Sequence, residues 1–186
     1  MLFRSEAVAR AVGAVEHVVM RFDLRLWGGS ALTDDLAVPL HDDVSAIGKD
    51  IPVTYVPARN MLFLSFATSF AEARGAEAIY IGVNALDYSG YPDCRPGFLE
   101  AFGHVIREGT AAGAAGRRIR IEAPLLHLSK AEIVALGASL GVDHGLTWSC
   151  YQGGDRPCGQ CDSCLLRAEG FAKAGLVDPV AQAPAG

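Results

Sequence analysis

Basic charge is in short supply in this chain: 16 Lys and Arg stand against 21 Asp and Glu in 186 residues, a formal net charge of −5. That balance leaves no broad cationic footprint for a phosphodiester backbone, so nucleic acid is not expected as a partner. Long apolar runs are missing as well. The opening MLFRSEAVARAV is interrupted by Arg4, Glu6 and Arg10, which suits neither a signal-peptide core nor a membrane span, and the expected location is the cytoplasm. No segment repeats itself. A hydrophobic content of 51% is ample for one buried core, and the expectation is a single α/β domain over residues 1–186.

Cysteine is scarce too, at five residues, yet Cys150, Cys158, Cys161 and Cys164 fall within TWSCYQGGDRPCGQCDSC, spaced C-x7-C-x2-C-x2-C. Thiolates this close in a turn-rich stretch can converge on one tetrahedral ion. YQGGDRP supplies the turn residues, and Gly159 lets the backbone bend between two ligands. A structural zinc ion is the first reading. An iron-sulfur cluster and a disulfide framework are the alternatives, the former more often using other spacings and the latter suiting a short secreted chain. Four protein ligands leave no open position, so the metal holds structure, and residues 146–173 form a zinc-binding segment within the domain. The fifth cysteine, Cys94, is left as a free thiol.

Hydrophobic periodicity predicts a helix over residues 5–13, a strand over 17–24 (HVVMRFDL) and a long irregular excursion over 28–52. RNMLFLSFATSFAEARG predicts a helix ending at Gly75, and AIYIGV a buried strand. RPGFLEAFGHVIREGTAAG predicts a helix opening at Pro96, IRIEAPL another strand, and SKAEIVALGASLG a helix with a Ser129/Glu132 capping box. The tail VDPVAQAPAG has little to bury and should fray. Strands alternating with helices imply βαβ crossovers and a parallel sheet with helices on both faces, whose ligands bind beyond the carboxyl ends of the strands. VPARN (56–60), NALDYSGYPDCR (84–95) and APLLHLSK (123–130) occupy that position, and the active site is expected where they meet.

NALDYSGYPDCR holds Asn84, Asp87, Tyr88, Ser89, Tyr91, Asp93 and Arg95 in twelve residues, a density that suits a flat heterocycle. A tyrosine ring can stack on a purine-like plane, and a carboxylate can accept from a ring N–H and an exocyclic amine together. The bland use of the same residues is to make turns and cap the helix at Pro96. Arg59 and the amides entering its helix suit an anion, with Asn60 a neutral donor, although an exposed helical arginine needs no such reason. Lys130 sits in a first helical turn, where a cation is mildly unfavourable unless an anion is near; a solvated surface lysine is the alternative. GGSAL at 28–32 lacks the strand-to-helix context of a phosphate loop and is not read as one.

GGSALTDD, IPVTYVPARN, IGVNALDYSGYPDCRPGFLEAF, APLLHLSKAEIVALG and the four-cysteine run together resemble, in order, the bacterial 7-cyano-7-deazaguanine synthases, from about Glu6 to Asp178. The resemblance implies a Rossmann-like fold of the PP-loop ATPase type, a zinc ion on Cys150, Cys158, Cys161 and Cys164, and commonly a homodimer. It implies an ATP-dependent ligase that turns 7-carboxy-7-deazaguanine and ammonia into the 7-nitrile, with magnesium accompanying ATP. By the same resemblance Asp87, Tyr88, Ser89, Tyr91, Asp93 and Arg95 bind substrate, Arg59 and Asn60 face the nucleotide, and Arg59 and Lys130 assist the chemistry. MLFRS does not match, and the family's opening strand and SGGxDS phosphate loop have no counterpart in these 186 residues. The expectation is therefore a shortened enzyme of impaired activity, the alternative being a zinc-stabilised binding module without chemistry.

Overall fold

The computed structural model describes residues 2–48, 50–84 and 90–181, without the side chains of Leu2 and Phe3. Its chain divides into two compact units, one of residues 1–48 with 130–186 and the other of 49–129. The second unit holds the sheet. Helix α2, Arg59–Arg74, places Asn60, Leu64, Thr68 and Ala71 on one buried stripe at helical spacing. It ends as predicted at Gly75, whose φ of +66° carries its N–H back to the Ala71 and Glu72 carbonyls. Strand β1, Ala78–Tyr80, follows, and Pro96–Gly109 forms α3 with Leu99, Phe102 and Ile106 buried.

The single helix expected over 95–113 is divided. Thr110 caps a short helix α4, Ala111–Ala114, by accepting from the Gly113 N–H, and its hydroxyl donates back to the Ile106 carbonyl. A threonine offers both bonds at once, which ends one helix and begins the next. Strand β2, Arg120–Glu122, then pairs parallel with β1 in the register Ala78↔Arg120, Ile79↔Ile121, Tyr80↔Glu122. This is the α/β fold with a parallel sheet that the sequence predicts. The apolar core joins Leu64, Ala71, Ile79, Val83, Leu99, Phe102, Ile106, Ile119 and Leu126, and each such large side chain contributes roughly 2 kcal/mol by burial.

In the first unit α1 runs Leu2–Ala11, α5 Lys130–Ser139 and α6 Asp162–Lys173. Helix α5 begins one residue after Ser129, as expected, whereas α6 was not anticipated as a separate element. Gly170 of α6 is buried where a side chain would press on Lys130, leaving α5 and α6 closely packed. The strand expected over 17–24 does not form: these residues are irregular and mostly exposed up to a 3-10 turn at Leu24–Leu26. A strand needs a neighbour's N–H and C=O groups, and among the described residues no segment pairs with this one, so its alternation goes unused. No described helix is long and apolar enough to cross a membrane.

Candidate metal centre and ligand loops

Each C-x2-C spacing in the first unit is shaped by backbone amides. Gly159 takes φ +76°, and the amides of Gln160 and Cys161 donate to Cys158 Sγ at 3.5 and 3.3 Å. The Cys158 amide donates to Cys150 Sγ at 3.3 Å. Cys161 is the N-cap of α6 and Cys164 lies in its first turn, so the helix itself carries two of the sulfurs. All four sulfurs lie within 4.8 Å of one another, Cys158 and Cys164 at 3.9 Å. A tetrahedral ion with sulfur bonds near 2.3 Å separates its ligands by about 3.8 Å, so the four fit one metal ion such as zinc.

Without a cation among them, two of the sulfurs resist ionisation. Burial pushes the thiols of Cys161 and Cys164 above their ordinary range, and Cys161 is fully buried. Burial also opposes ionisation of Cys158, but the converging amides of Gln160 and Cys161 outweigh it and bring that thiol down to about 7. The bound metal would supply the charge that turns the other buried thiols into thiolates. All five cysteines are free of disulfides.

Three residues that local sequence patterns do not reveal brace this centre. Arg167 of α6 makes a twofold ion pair with Asp178, at 2.6 and 2.9 Å, and donates to Thr147 Oγ1 at 2.8 Å and the His144 carbonyl at 3.3 Å. It thereby holds the segment that leads into Cys150. His41 donates its amide to the Gln160 carbonyl at 2.8 Å, and its Nε2 lies 3.1 Å from Asp162 Oδ1, a buried oxygen without an aligned hydrogen bond. Trp148 donates Nε1–H to the Cys150 carbonyl at 3.2 Å and carries the Arg4 guanidinium 4.5 Å above its ring.

The second unit contains Arg59, Asn60, Tyr91, Asp93 and Arg95 of the other expected site residues. Asn84, just beyond β1, donates its side-chain amide to the Leu125 carbonyl at 3.4 Å and to that of Leu128, tying it to APLLHL beyond β2. Thr54 and Tyr91 hydroxyls are 3.1 Å apart, and the Tyr55 and Tyr91 rings lie 6.0 Å centre to centre. The Asn60 N–H donates to Asp93 Oδ2 at 2.9 Å, while Asn60 Nδ2 donates to the Asp93 carbonyl at 3.3 Å and approaches Cys94 Sγ at 3.2 Å. Asn60 thus links the first loop to the second, and Asn84, beyond β1, links the second to the residues that follow β2. Asp93 is buried, Arg59 and Tyr91 are half-buried and Arg95 is exposed. Asp87, Tyr88 and Ser89 lie outside the described residues. Lys130 falls in the first unit, its Cβ facing Gly170.

GGSALTDD closes on itself: Ser30, fully buried, receives the Thr33 and Asp34 amides on its carbonyl and the Leu32 amide on its hydroxyl, at 2.8 to 3.1 Å. The Gly29 amide is taken by the Asp34 carboxylate at 3.2 Å, an anion where a phosphate cradle would need none.

The family model for queuosine biosynthesis protein QueC matches residues 3–175. A 7-cyano-7-deazaguanine synthase of Trichormus variabilis is 60% identical over 174 residues, covering 93% of this chain and 77% of the relative. Synthases of the same description from Geobacter metallireducens and Pseudomonas paraeruginosa are each 58% identical over 178 residues, 94% of this chain and 73% and 77% of theirs. A match over nearly the whole chain, with the four cysteines held within reach of one ion, places this protein in the QueC family of queuosine biosynthesis.

Proposed function

We propose that the ligand loops carry the reaction and that the cysteines hold a structural metal. The chain is an ATP-dependent carbon-nitrogen ligase, a 7-cyano-7-deazaguanine synthase acting in queuosine biosynthesis; the observation that carries this is close identity to named synthases over some 94% of its length. The ion on Cys150, Cys158, Cys161 and Cys164 is zinc, fully ligated by protein, so it stabilises the fold and takes no part in the chemistry.

The joined loops would hold the 7-carboxy-7-deazaguanine. Asp87, Tyr88, Ser89, Tyr91, Asp93 and Arg95 are assigned to the substrate loop, and Arg59 and Asn60 to the nucleotide side, with magnesium accompanying the ATP. Lys130 is assigned to charge developing on the transferring group. The substrate carboxylate attacks a phosphorus of ATP, expelling the phosphates beyond it, to give an activated acyl group; ammonia displaces the phosphorylated oxygen and loses a proton as the amide forms; a second ATP activates the amide oxygen in the same way, and that oxygen leaves with its phosphoryl group as the nitrogen gives up its two protons and the nitrile forms. Both activations spread negative charge, which is why cations and N–H donors are wanted at the loops. Association as a homodimer belongs to the same reading, with light scattering as its check.

A second reading is a zinc-stabilised module that binds the deazapurine without turning it over, resting on the four cysteines held within reach of one ion. Titration of zinc-loaded protein with 7-carboxy-7-deazaguanine, then addition of ATP, magnesium and ammonium with nitrile followed by mass spectrometry, separates the two. Nitrile above a heat-inactivated control supports the ligase. Binding without nitrile supports the module, and neither would end the site assignment.

A further inference from the structure

Helix α2 begins without a cap of its own. Its N-cap residue, Ala58, has no side chain that can accept from the first turn, and it takes φ +55°, the only left-handed non-glycine among the described residues. An alanine there forgoes the bond that Ser, Thr, Asp or Asn would make, and the left-handed conformation adds strain. The missing acceptor comes from 33 residues further on: Asp93 Oδ2 takes the Asn60 N–H at 2.9 Å. The Asn60 side chain answers by donating to the Asp93 carbonyl at 3.3 Å and reaching Cys94 Sγ at 3.2 Å. This clasp joins the helix to the 3-10 turn Pro92–Cys94, and at 6% exposure Asp93 is buried within it.

We propose that Asp93 is a positioning residue: its carboxylate caps α2 in trans, fixing Arg59 and Asn60 against the substrate loop, and does not itself read the deazaguanine. The proposal rests on the ligand reading of these loops given above. Within YPDCR the labour divides by burial. The half-buried Tyr91 and exposed Arg95 flank a buried carboxylate, whose oxygen is directed at a helix amide. A carboxylate at a helix N-terminus also gains from the helix dipole, which explains an aspartate there in preference to a neutral acceptor.

The test compares wild type, Asp93→Asn and Asp93→Ala by calorimetric titration with 7-carboxy-7-deazaguanine and by hydrogen exchange across residues 59–63. An asparagine carbonyl still accepts from the Asn60 amide. Asp93→Asn is therefore expected to preserve protection of that turn and to weaken substrate binding by no more than about 5-fold, the worth of the lost charge at the helix end. Asp93→Ala is expected to lose both, with binding weaker by at least about 10-fold. A loss beyond about 100-fold in Asp93→Asn with protection intact would overturn the proposal, because a group that reads two donors does not survive exchange for an amide. Should Asp93→Ala fail to fold, Asn60→Ala removes the side-chain half of the clasp and is expected to raise exchange at residues 59–63; unchanged exchange and affinity would count against it. Wild type that does not bind the deazaguanine would end the ligand reading and this role with it, a result seen before any variant is compared.

Discussion

Cys161 has no solvent exposure and receives its charge state from whatever fills the space among the four sulfurs. Replacing it by serine is expected to lower zinc affinity by more than the roughly 100-fold that changes outside the ligand sphere bring, measured by competition with a chromophoric chelator. Arg167 and Asp178 form a nearly buried pair, at 14% and 11% side-chain exposure. Arg167→Ala should cost about 3 kcal/mol in urea unfolding at neutral pH, because the carboxylate is left buried without its cation. The pH dependence has a definite sign. Burial works to raise the Asp178 carboxyl, but the Arg167 hydrogen bonds prevail and hold it below its usual 3.8. A depressed folded-state pKa stabilises above 3.8, and that stabilisation is lost as pH falls through the folded value. The gap between wild type and Arg167→Ala should therefore be full at pH 7 and shrink below pH 3.8; a constant gap would contradict the pairing.

At the scale of elements, two helix contacts carry distinct expectations. The α5–α6 contact at Gly170 leaves no room for a side chain, since a Cβ there would stand 2.9 Å from the Lys130 Cβ and 3.3 Å from its carbonyl carbon. Gly170→Val should destabilise by about 1–3 kcal/mol through overpacking, read as a lowered melting temperature. Ala58 gives the opposite sign. Its φ of +55° is relieved by glycine, so Ala58→Gly should raise stability by up to about 1 kcal/mol; a loss would mean that backbone entropy outweighs the strain. Helix boundaries with local causes, such as Gly75 after α2 and Pro96 opening α3, were legible in the sequence. The division at Thr110 was not, because which residue ends the helix depends on the two bonds made by its hydroxyl, which the sequence pattern does not show.

At the scale of the whole molecule, removal of the metal should be felt first in the unit that contains the cysteines. Chelation is expected to accelerate amide exchange over residues 147–173 and around His41 by at least about 10-fold, since folding free energy there is metal-binding free energy. Exchange that stays unchanged would mean the cysteines are held by packing alone. The sequence by itself determined the metal site, because four cysteines within fifteen residues meet through local turns. It also determined the parallel βαβ unit, because hydrophobic periodicity and turn residues act over short range. The tertiary structure decided that HVVMRFDL remains irregular here, since a ladder needs a neighbour; that His41 and Arg167 brace the cysteines; and that Asp93 caps a helix 33 residues before it. Each of these depends on groups far apart in the chain, and their pairing energies exist only once folding has brought them within a few ångströms.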